Sequence, residues 1–572
     1  MRLNVLKGAV FAGLVVLAGG LFETQVLRAG HYRNLSENNR IRLIPLEAPR
    51  GRVLDRAGRL LATNRTAHHL VATPEDVTPE VYPELAKLLG VSERVIRERM
   101  SAEREYPFAP VVLAADIPKR LLFEFEELRP ELPGVSVETE WIRSYPYGRT
   151  ASHIIGYLGK INPEEYQHLE RDRYGLNSLV GRTGMEKVFD SKLRGWRGAR
   201  QVEVNARGER IQVLAETPAV PGEDLTLTID LDFEKRLTEM IQDRKATIAF
   251  LDLKTNELLA LASSPGFDPN VFVSPSGGEE RLEFLRDRDS PLLDRGAGAA
   301  YPPGSVFKLV TALAGLETGK ITPQTTFNCP GTFRLKPGSR PFHCWWDKGH
   351  GRLDLYHAIE RSCNVYFYNV GRLVGADALA ETARKLGFGQ TFEMELTNLA
   401  PGLVPDSEWK KNRLHEAWYA GETLSFAVGQ SYLLVSPLQV LRLAALIAKN
   451  GEWVELKIVR GTEEPGKPQP KKIAIQEKNL RVIRQGMLRV VQSDYGTGQL
   501  ARVDFDQLAA KTGTAQAPPK NPHAWITGFF PYRDPQIAFV VMLEHGGSGG
   551  INAARIAKRA LQLWKEMYAP VV

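Results

Sequence analysis

Ser305 and Lys308 stand three residues apart in the stretch Tyr301–Leu316, Y-P-P-G-S-V-F-K-L-V-T-A-L-A-G-L. The Pro-Pro-Gly turn predicts a break in the chain, and the apolar run after it predicts a helix beginning at Ser305. On a helix that spacing places both side chains on one face, about one turn apart. A serine hydroxyl needs an adjacent base to act as a nucleophile, and a lysine withdrawn from water can be that base once its pKa falls. The helix N-terminus adds free N–H groups and partial positive charge where an oxyanion would form. The chemistry implied is acyl transfer through a serine.

The pattern alone has little weight, because about one or two chance copies are expected in a chain of this length. A second copy, Ser407-Glu408-Trp409-Lys410, lies in a polar stretch with no apolar helix behind it and reads as surface. Two later elements set the first copy apart: Ser362-Cys363-Asn364 (S-x-N) and Lys511-Thr512-Gly513-Thr514 (K-T-G followed by Thr). Ser36-Glu37-Asn38 also fits S-x-N but precedes the nucleophile.

These residues need a scaffold, and the 572-residue chain is long enough for two or three domains. Its 43% hydrophobic and 25% charged residues are those of a globular protein, which excludes a disordered chain. A net charge of +7 suits an anionic neighbour such as lipid headgroups or acidic polymer, and equally a mildly basic solvated surface. No basic tract of the nucleic-acid-binding kind occurs. Arg2 and Lys7 precede the uncharged run Gly8–Phe22. Counted from Leu3 to Leu27 the segment would be roughly 37 Å long as a helix, enough to span a bilayer. Positive charge on the inner side puts the N-terminus in the cytoplasm and the rest outside. A cleaved signal peptide is the rival, but no clean small-residue cleavage region follows.

Beyond residue 27 the pattern divides near Pro221-Gly222. Before it, the chain predicts a strand and a glycine-containing turn from Pro49 with a second strand around Leu60–Ala62, helices at Val81–Leu89 and Glu93–Met100, a helix at Met185–Leu193 and an extended hairpin at Gln201–Val213. No enzyme-like constellation shows there. After it come a strand at Leu225–Ile229, a helix at Asp232–Arg244 and a hairpin of Thr247–Leu253 with Glu257–Ser263. A loop of about 35 residues then leads to the nucleophile helix. Strands at Leu508–Gln516, Trp525–Phe530 and Gln536–Leu543 and a helix at Ile551–Tyr568 close the chain, and Gly461–Gln469 reads as a loose loop. Strands, many helices, then strands and a last helix predict an α+β fold, an antiparallel sheet covered by helices. The expected division is an anchor over 1–27, a scaffold over 28–220 and a catalytic domain over 221–572.

The order S-x-x-K, S-x-N, K-T-G is shared by penicillin-binding proteins and class A β-lactamases. The chain resembles class B penicillin-binding proteins, the membrane-anchored peptidoglycan transpeptidases, along nearly its whole length. Arg50-Gly51-Arg52-Val53-Leu54-Asp55-Arg56 and Gly181-Arg182-Thr183-Gly184-Met185-Glu186-Lys187 resemble that family's pedestal (dimerisation) domain, and Gly429-Gln430…Ser436-Pro437-Leu438-Gln439 its transpeptidase domain. Trp345-Trp346…Gly349-His350-Gly351 is similar to the elongation-type members rather than the septal ones. The resemblance implies that Ser305 attacks a D-Ala-D-Ala stem peptide, with Lys308 as base and Ser362 as proton relay. Asn364 would hold Lys308 and the substrate amide, and Lys511 would set the electrostatics. Thr512 and Thr514, on either side of Gly513, would bind the substrate carboxylate, and the N–H groups of Ser305 and Thr514 would form the oxyanion hole. It further implies covalent inhibition by β-lactams, a location in the bacterial cytoplasmic membrane, and a SEDS-family glycan polymerase of RodA type as partner through the anchor and pedestal. Nucleic acid is not an expected partner, and the chemistry needs no cofactor. A D,D-carboxypeptidase, a β-lactamase or a scaffold with secondary catalysis stand as alternatives.

The three cysteines, Cys329, Cys344 and Cys363, leave more than one reading open. A disulfide with one thiol over, buried free thiols, and a structural Cys₃His zinc site with His350 all fit the composition. Their spacing matches no compact finger, and His343 and His357 are alternatives to His350. Elongation-type relatives that hold zinc in the matching stretch favour the metal.

Overall fold

The computed structural model describes residues 2–30, 41–74, 76–102, 110–170, 173–174, 178–204, 210–274, 277–461 and 471–568. The expected loose loop at 461–469 and the Ser36-Glu37-Asn38 motif lie almost or wholly outside them. Helix α1 (Arg2–Phe22) continues through a π-helical turn at Glu23–Leu27. Its stretch Val10–Leu27 has a mean hydropathy of 1.8, is long and apolar enough to cross a bilayer, and is not buried by any of the described residues.

The scaffold region is built from two sheets. β1 (Ile41–Leu46), β8 (Gly198–Val204) and β9 (Arg210–Thr217) form an antiparallel trio in the order β1-β8-β9. The expected hairpin at 201–213 is the β8/β9 pair, with strands longer than foreseen. β2 (Val53–Leu54), β3 (Leu60–Ala72), β4 (Val111–Ala114) and β5 (Val135–Ser144) form the second sheet, which β10 (Leu225–Thr226) joins parallel to β2. Helices at Val81–Leu89, Glu93–Ala102 and Lys119–Leu128 pack on it around a separate small core of Leu70, Leu85, Ile96, Leu113 and Phe125. The ribbon of β6 (Leu158–Lys160) and β7 (Leu179–Gly181) leads into two short helices, Gly184–Val188 and Asp190–Arg194, where the sequence suggests one.

The two distinctive stretches of this region meet in the interior. Arg50 donates to Glu186 Oε2 at 2.6 Å and to Asp190 at 2.7 Å, while Arg143 donates to Glu186 Oε1 at 2.7 Å and to the Gly51 carbonyl at 2.7 Å. Glu186 is wholly buried, which alone would favour its neutral form. The two guanidiniums overcome that burial and hold its pKa below the usual carboxylate range. Tyr145 adds a hydroxyl to Glu186 at 3.3 Å, and its main chain bonds both ways to the Asn270 side chain, which belongs to the next domain.

The catalytic domain is a five-stranded antiparallel sheet in the order β12-β11-β19-β18-β17. Its strands are β11 (Ala246–Asp252), β12 (Leu258–Ser264), β17 (Ala509–Ala517), β18 (Lys520–Phe530) and β19 (Ile537–Leu543). Every residue of β12 and β19 is buried, so helices must cover both faces. Phe250 and Phe530 meet Phe233 of α2 (Leu231–Ile241) and Trp564 of α8 (Ala554–Tyr568) on one face. The entirely buried α6 (Pro437–Ala448) packs on β19, β18 and β11. Ser436 caps α6 in a capping box with Gln439, and Pro437 presets its first turn. The expected antiparallel sheet covered by helices is present, and β17, carrying K-T-G, is its free edge. The stretch before the nucleophile is less of a loop than expected, with helices at Asn270–Val273 and Gly278–Arg286.

Candidate active site

The candidate nucleophile, Ser305, is seated by main chain touching main chain. Residues Gly304–Phe307 form a 3₁₀ turn, and α3 (Lys308–Glu317) follows, so Ser305 lies one turn before the α-helix expected to start there. Gly304 has φ +54°, and a Cβ on it would lie 2.9 Å from the Thr514 carbonyl oxygen. A Cβ on Gly429 would lie 2.0 Å from the Gly304 carbonyl oxygen, and one on Gly513 2.8 Å from that of Pro303. Only glycine permits these approaches. Together they press the turn carrying Ser305 against β17 and bring its backbone beside Thr514. Trp525 Nε1 donates to the Pro302 carbonyl at 3.1 Å and fixes the approach from below.

Lys308 is fully buried, and its amine meets three acceptors: Asn364 Oδ1 at 2.6 Å, the Ser362 carbonyl at 2.7 Å and Ser362 Oγ at 3.2 Å. A neutral amine has two N–H donors and one lone pair. The two short bonds use the donors, and the lone pair remains for a proton. Burial lowers the Lys308 pKa to about 8, against the opposing pull of the nearby Cys344, Cys363 and Cys329 sulfurs. Lys511, on β17, is also fully buried and donates to Ser362 Oγ at 2.8 Å and to the Thr512 carbonyl at 2.9 Å. Burial and then the like charge of Lys308 push its pKa well down. Neither amine forms an ion pair with a carboxylate among the described residues. Ser362, between them, holds φ +52°, a conformation rare outside glycine and asparagine, and such strain concentrates at functional positions. Lys511 donates to its oxygen, and the Lys308 nitrogen lies 3.2 Å away on the other side.

That cleft, of about 740 Å³, is lined by Ser305, Ser362, Asn364, Thr512 and Thr514, with His343, Trp345, Thr497, Gln516 and Ser548 among the rest of its wall. No Asp or Glu is among the described residues that line it. Thr514 Oγ1 accepts from Gly549 N at 3.1 Å, so its own proton stays available. β17 pairs only with β18 and offers its other edge to an extended peptide.

Below the S-x-N turn the cysteines come together. One ligand atom each from Cys329, Cys344, His350 and Cys363 lies within 4.8 Å of the others. Cys344 and Cys363 sulfurs are 4.0 Å apart, and His350 Nδ1 is 3.4 Å from Cys344 and 3.6 Å from Cys329. A tetrahedral zinc with Zn–S of about 2.3 Å and Zn–N of about 2.0 Å requires edges of about 3.8 Å between sulfurs and about 3.5 Å from sulfur to nitrogen. The donor set therefore fits that metal, while the sulfurs are far beyond the bonding distance of a disulfide, and all three cysteines are free. Hydrogen bonding within the trio pulls the Cys344 and Cys329 thiols toward thiolate and pushes the Cys363 thiol up. Cys363 also caps α5 (Asn364–Val374), its sulfur accepting from Tyr366 N at 3.5 Å. His357 is bound instead to Asp354 at 2.6 Å, and His343 faces the cleft.

All eight residues of the three motifs are therefore gathered at one place. The second Ser-x-x-Lys is not the surface feature the sequence suggests. It lies on a helix, Ser407–Leu414, and Lys410 is buried against Glu422 at 2.5 Å and Glu416 at 3.2 Å. The counter-charges sit 6 and 12 positions downstream, where a local reading of the polar stretch does not look. Thr497 and Gln516 were not anticipated in the cleft wall. For Thr497 the one cue is a hydroxyl between two glycines, Gly496 and Gly498, after an amphipathic helix.

Comparison with known proteins agrees with this geometry. The penicillin-binding protein transpeptidase domain family matches residues 246–562, and the penicillin-binding protein dimerisation domain family matches residues 45–227. The peptidoglycan D,D-transpeptidase MrdA of Haemophilus influenzae is 32% identical, covering 98% of this chain and 92% of the relative. That of Escherichia coli K12 is 30% identical, covering 94% and 90%. Among solved structures, Helicobacter pylori PBP2 in complex with MreC superposes with a TM-score of 0.82 at 30% identity, covering 92% of this chain and 99% of that one. A chain of a peptidoglycan synthase complex that coordinates polymerization and crosslinking gives 0.74 at 31% identity, covering 100% and 99%.

Proposed function

This chain belongs to the PBP2-type class B penicillin-binding proteins, and on that premise we propose how its residues carry out the reaction. It is a peptidoglycan D,D-transpeptidase. Lys308, neutral, takes the proton of Ser305 as its Oγ attacks the carbonyl of the penultimate D-Ala. Ser362 passes a proton to the leaving D-Ala amine, and the Ser305 ester is then resolved by the amine of a second stem peptide, forming the cross-link and freeing Ser305. Asn364 holds Lys308 in place and receives the substrate amide. Lys511 donates to Ser362 Oγ and sets the electrostatics of the pocket, and Thr512 and Thr514 donate to the terminal carboxylate. The N–H groups of Ser305 and Thr514 receive the oxyanion, a contribution worth about 100- to 1000-fold in rate for one donor.

The observation that carries this reading is the pair of buried amines on Ser362 without any carboxylate beside them. The absence of Asp and Glu from the described cleft wall favours an amine acceptor over water, because a hydrolase must activate water with a placed base. A penicillin mimics the D-Ala-D-Ala end, so full-length protein gains one stable penicillin adduct by intact mass, and Ser305→Ala gains none. Rapid loss of the adduct from the wild type would instead indicate a β-lactamase.

Three finer points belong to the same proposal. The domain limits lie at residues 27 and 220, with the N-terminus cytoplasmic because Arg2 and Lys7 flank the apolar helix. Elongation of the cell wall is the setting, with a SEDS polymerase of RodA type contacted through anchor and pedestal. The match along the whole chain to a protein from a synthase complex supports this, as neither matched family is a polymerase. Cys329, Cys344, His350 and Cys363 would hold one zinc, which would brace the turn bearing Ser362 and take no part in the chemistry. Elemental analysis of purified protein should give one zinc per chain, reduced to near zero in Cys344→Ser; well under one equivalent in the wild type removes the metal from the account.

A further inference from the structure

Thr497 belongs to none of the three motifs, yet it touches three walls of the cleft. It follows α7 (Glu477–Gln492) in the turn Ser493-Asp494-Tyr495-Gly496-Thr497-Gly498. That turn is clamped to the helix end. Gly498 N donates to the Val490 carbonyl at 2.8 Å, and a Cβ on Gly496 would lie 2.2 Å from the same oxygen. Thr497 N donates at 3.3 Å to the carbonyl of Glu360, at the end of α4 (Leu355–Glu360) and two residues before Ser362. The buried Glu360 carboxylate accepts from Ser493 Oγ at 2.8 Å, which ties the turn to the S-x-N segment a second time. The Thr497 carbonyl oxygen lies where a Cβ on Gly550 would be 2.5 Å away, on the far wall. Its hydroxyl lies 2.8 Å from Thr512 Oγ1, on β17.

The last contact matters for chemistry. A carboxylate oxygen only accepts hydrogen bonds, so a hydroxyl binds it only if its proton points outward. Alone, the Thr512 hydroxyl could turn that proton elsewhere. With Thr497 donating to it, the Thr512 oxygen is filled from behind and its own proton is directed to the cleft. The two bonds in series also polarise one another. We propose that Thr497 is a positioning residue of the transpeptidation site, donating to Thr512 so that Thr512 donates to the carboxylate of the donor peptide. The proposal rests on the reading above that Thr512 binds this carboxylate.

The test compares benzylpenicillin with its methyl ester on the full-length protein in detergent, reading the second-order acylation rate for each. The acid-to-ester ratio is internal to each variant and does not depend on how much of it is folded. In Thr497→Val, which keeps shape and removes the donor, the ratio should fall about tenfold, the usual order for weakening a charged hydrogen bond. The ester rate should stay near the wild-type value, and Thr497→Ser should restore the ratio to within about twofold. Equal slowing of acid and ester in Thr497→Val would reduce Thr497 to a wall residue and overturn the proposal. A wild-type ratio in Thr497→Val beside a lost ratio in Thr512→Val would overturn it while the carboxylate reading stands. A wild-type ratio in Thr512→Val would overturn both.

Discussion

Two lysines in this chain end the same four-residue pattern, and both are buried, but only one is built to change its charge. Lys410 faces Glu422 and Glu416, whose hydrogen bonds raise its pKa against the pull of burial. Lys308 faces amide, carbonyl and hydroxyl oxygens and no carboxylate, so burial lowers its pKa to about 8. A carboxylate next to a buried amine locks the proton on; neutral oxygens hold the amine in place without doing so. The pedestal repeats the first solution at Arg50, Glu186 and Arg143, where charge fixes architecture. The counter-charge, more than the motif, separates a reactive lysine from a structural one.

The comparison is broken most severely by exchanging each lysine for methionine. Lys308→Met should slow acylation by penicillin about 1000-fold, within the usual range for a lost general base, with the fold intact by circular dichroism. Lys410→Met should lower the thermal midpoint while the acylation rate per folded molecule stays within about twofold of wild type, the catalytic charges being untouched. If Lys410→Met lost acylation to the same degree, counter-charge would not be the distinction. A milder probe is pH. The base form of Lys308 exists above its pKa, so acylation should rise from pH 6 and level off beyond about pH 8, gaining about tenfold over its value at pH 7. A flat profile over that range would show that Lys308 is already neutral at pH 6. The smallest effect is expected from Ser407→Ala. Among the described residues Ser407 Oγ donates only to Asp377, at 2.9 Å, so labelling should be unchanged and stability should fall by about 1 kcal/mol at most, measured by denaturant unfolding.

How far the sequence reveals this site follows from where the partners lie. Ser305 with Lys308, Ser362 with Asn364, and Lys511 with Thr514 are local pairs, and each arrives on the turn or strand that its neighbours imply. The three were brought together by resemblance, not by any periodicity. The buried state of Lys410 is set by Glu416 and Glu422, and the placement of Thr497 by Glu360 and Gly550, contacts that a local pattern does not contain. The sheet strands β11 and β19 were legible because each is a near-continuous apolar run, and β18 only from Trp525 on, its start at Lys520-Asn521-Pro522-His523 being polar. The long β3/β5 pair of the pedestal was not, since β5 is mostly exposed and its polar residues look like loop. The cysteine cluster was legible as composition but not as geometry, which the pairing of β13 (Phe327–Cys329) with β16 (Gly351–Leu353) supplies.

The three glycines around Ser305 have a consequence for how the enzyme can change. Where Gly304, Gly429 and Gly513 meet carbonyl oxygens, the spacing is fixed by the hard repulsion of main-chain atoms, with no side chain to relax. Ser305 is thus registered to the sheet as a part is to a datum plane. Walls that differ in Trp345, Gln516 or Ser548 can be recut to favour one ligand over another, drugs included, without moving the atom that reacts. Variation that lowers affinity for an inhibitor is open to the walls and closed to the seat.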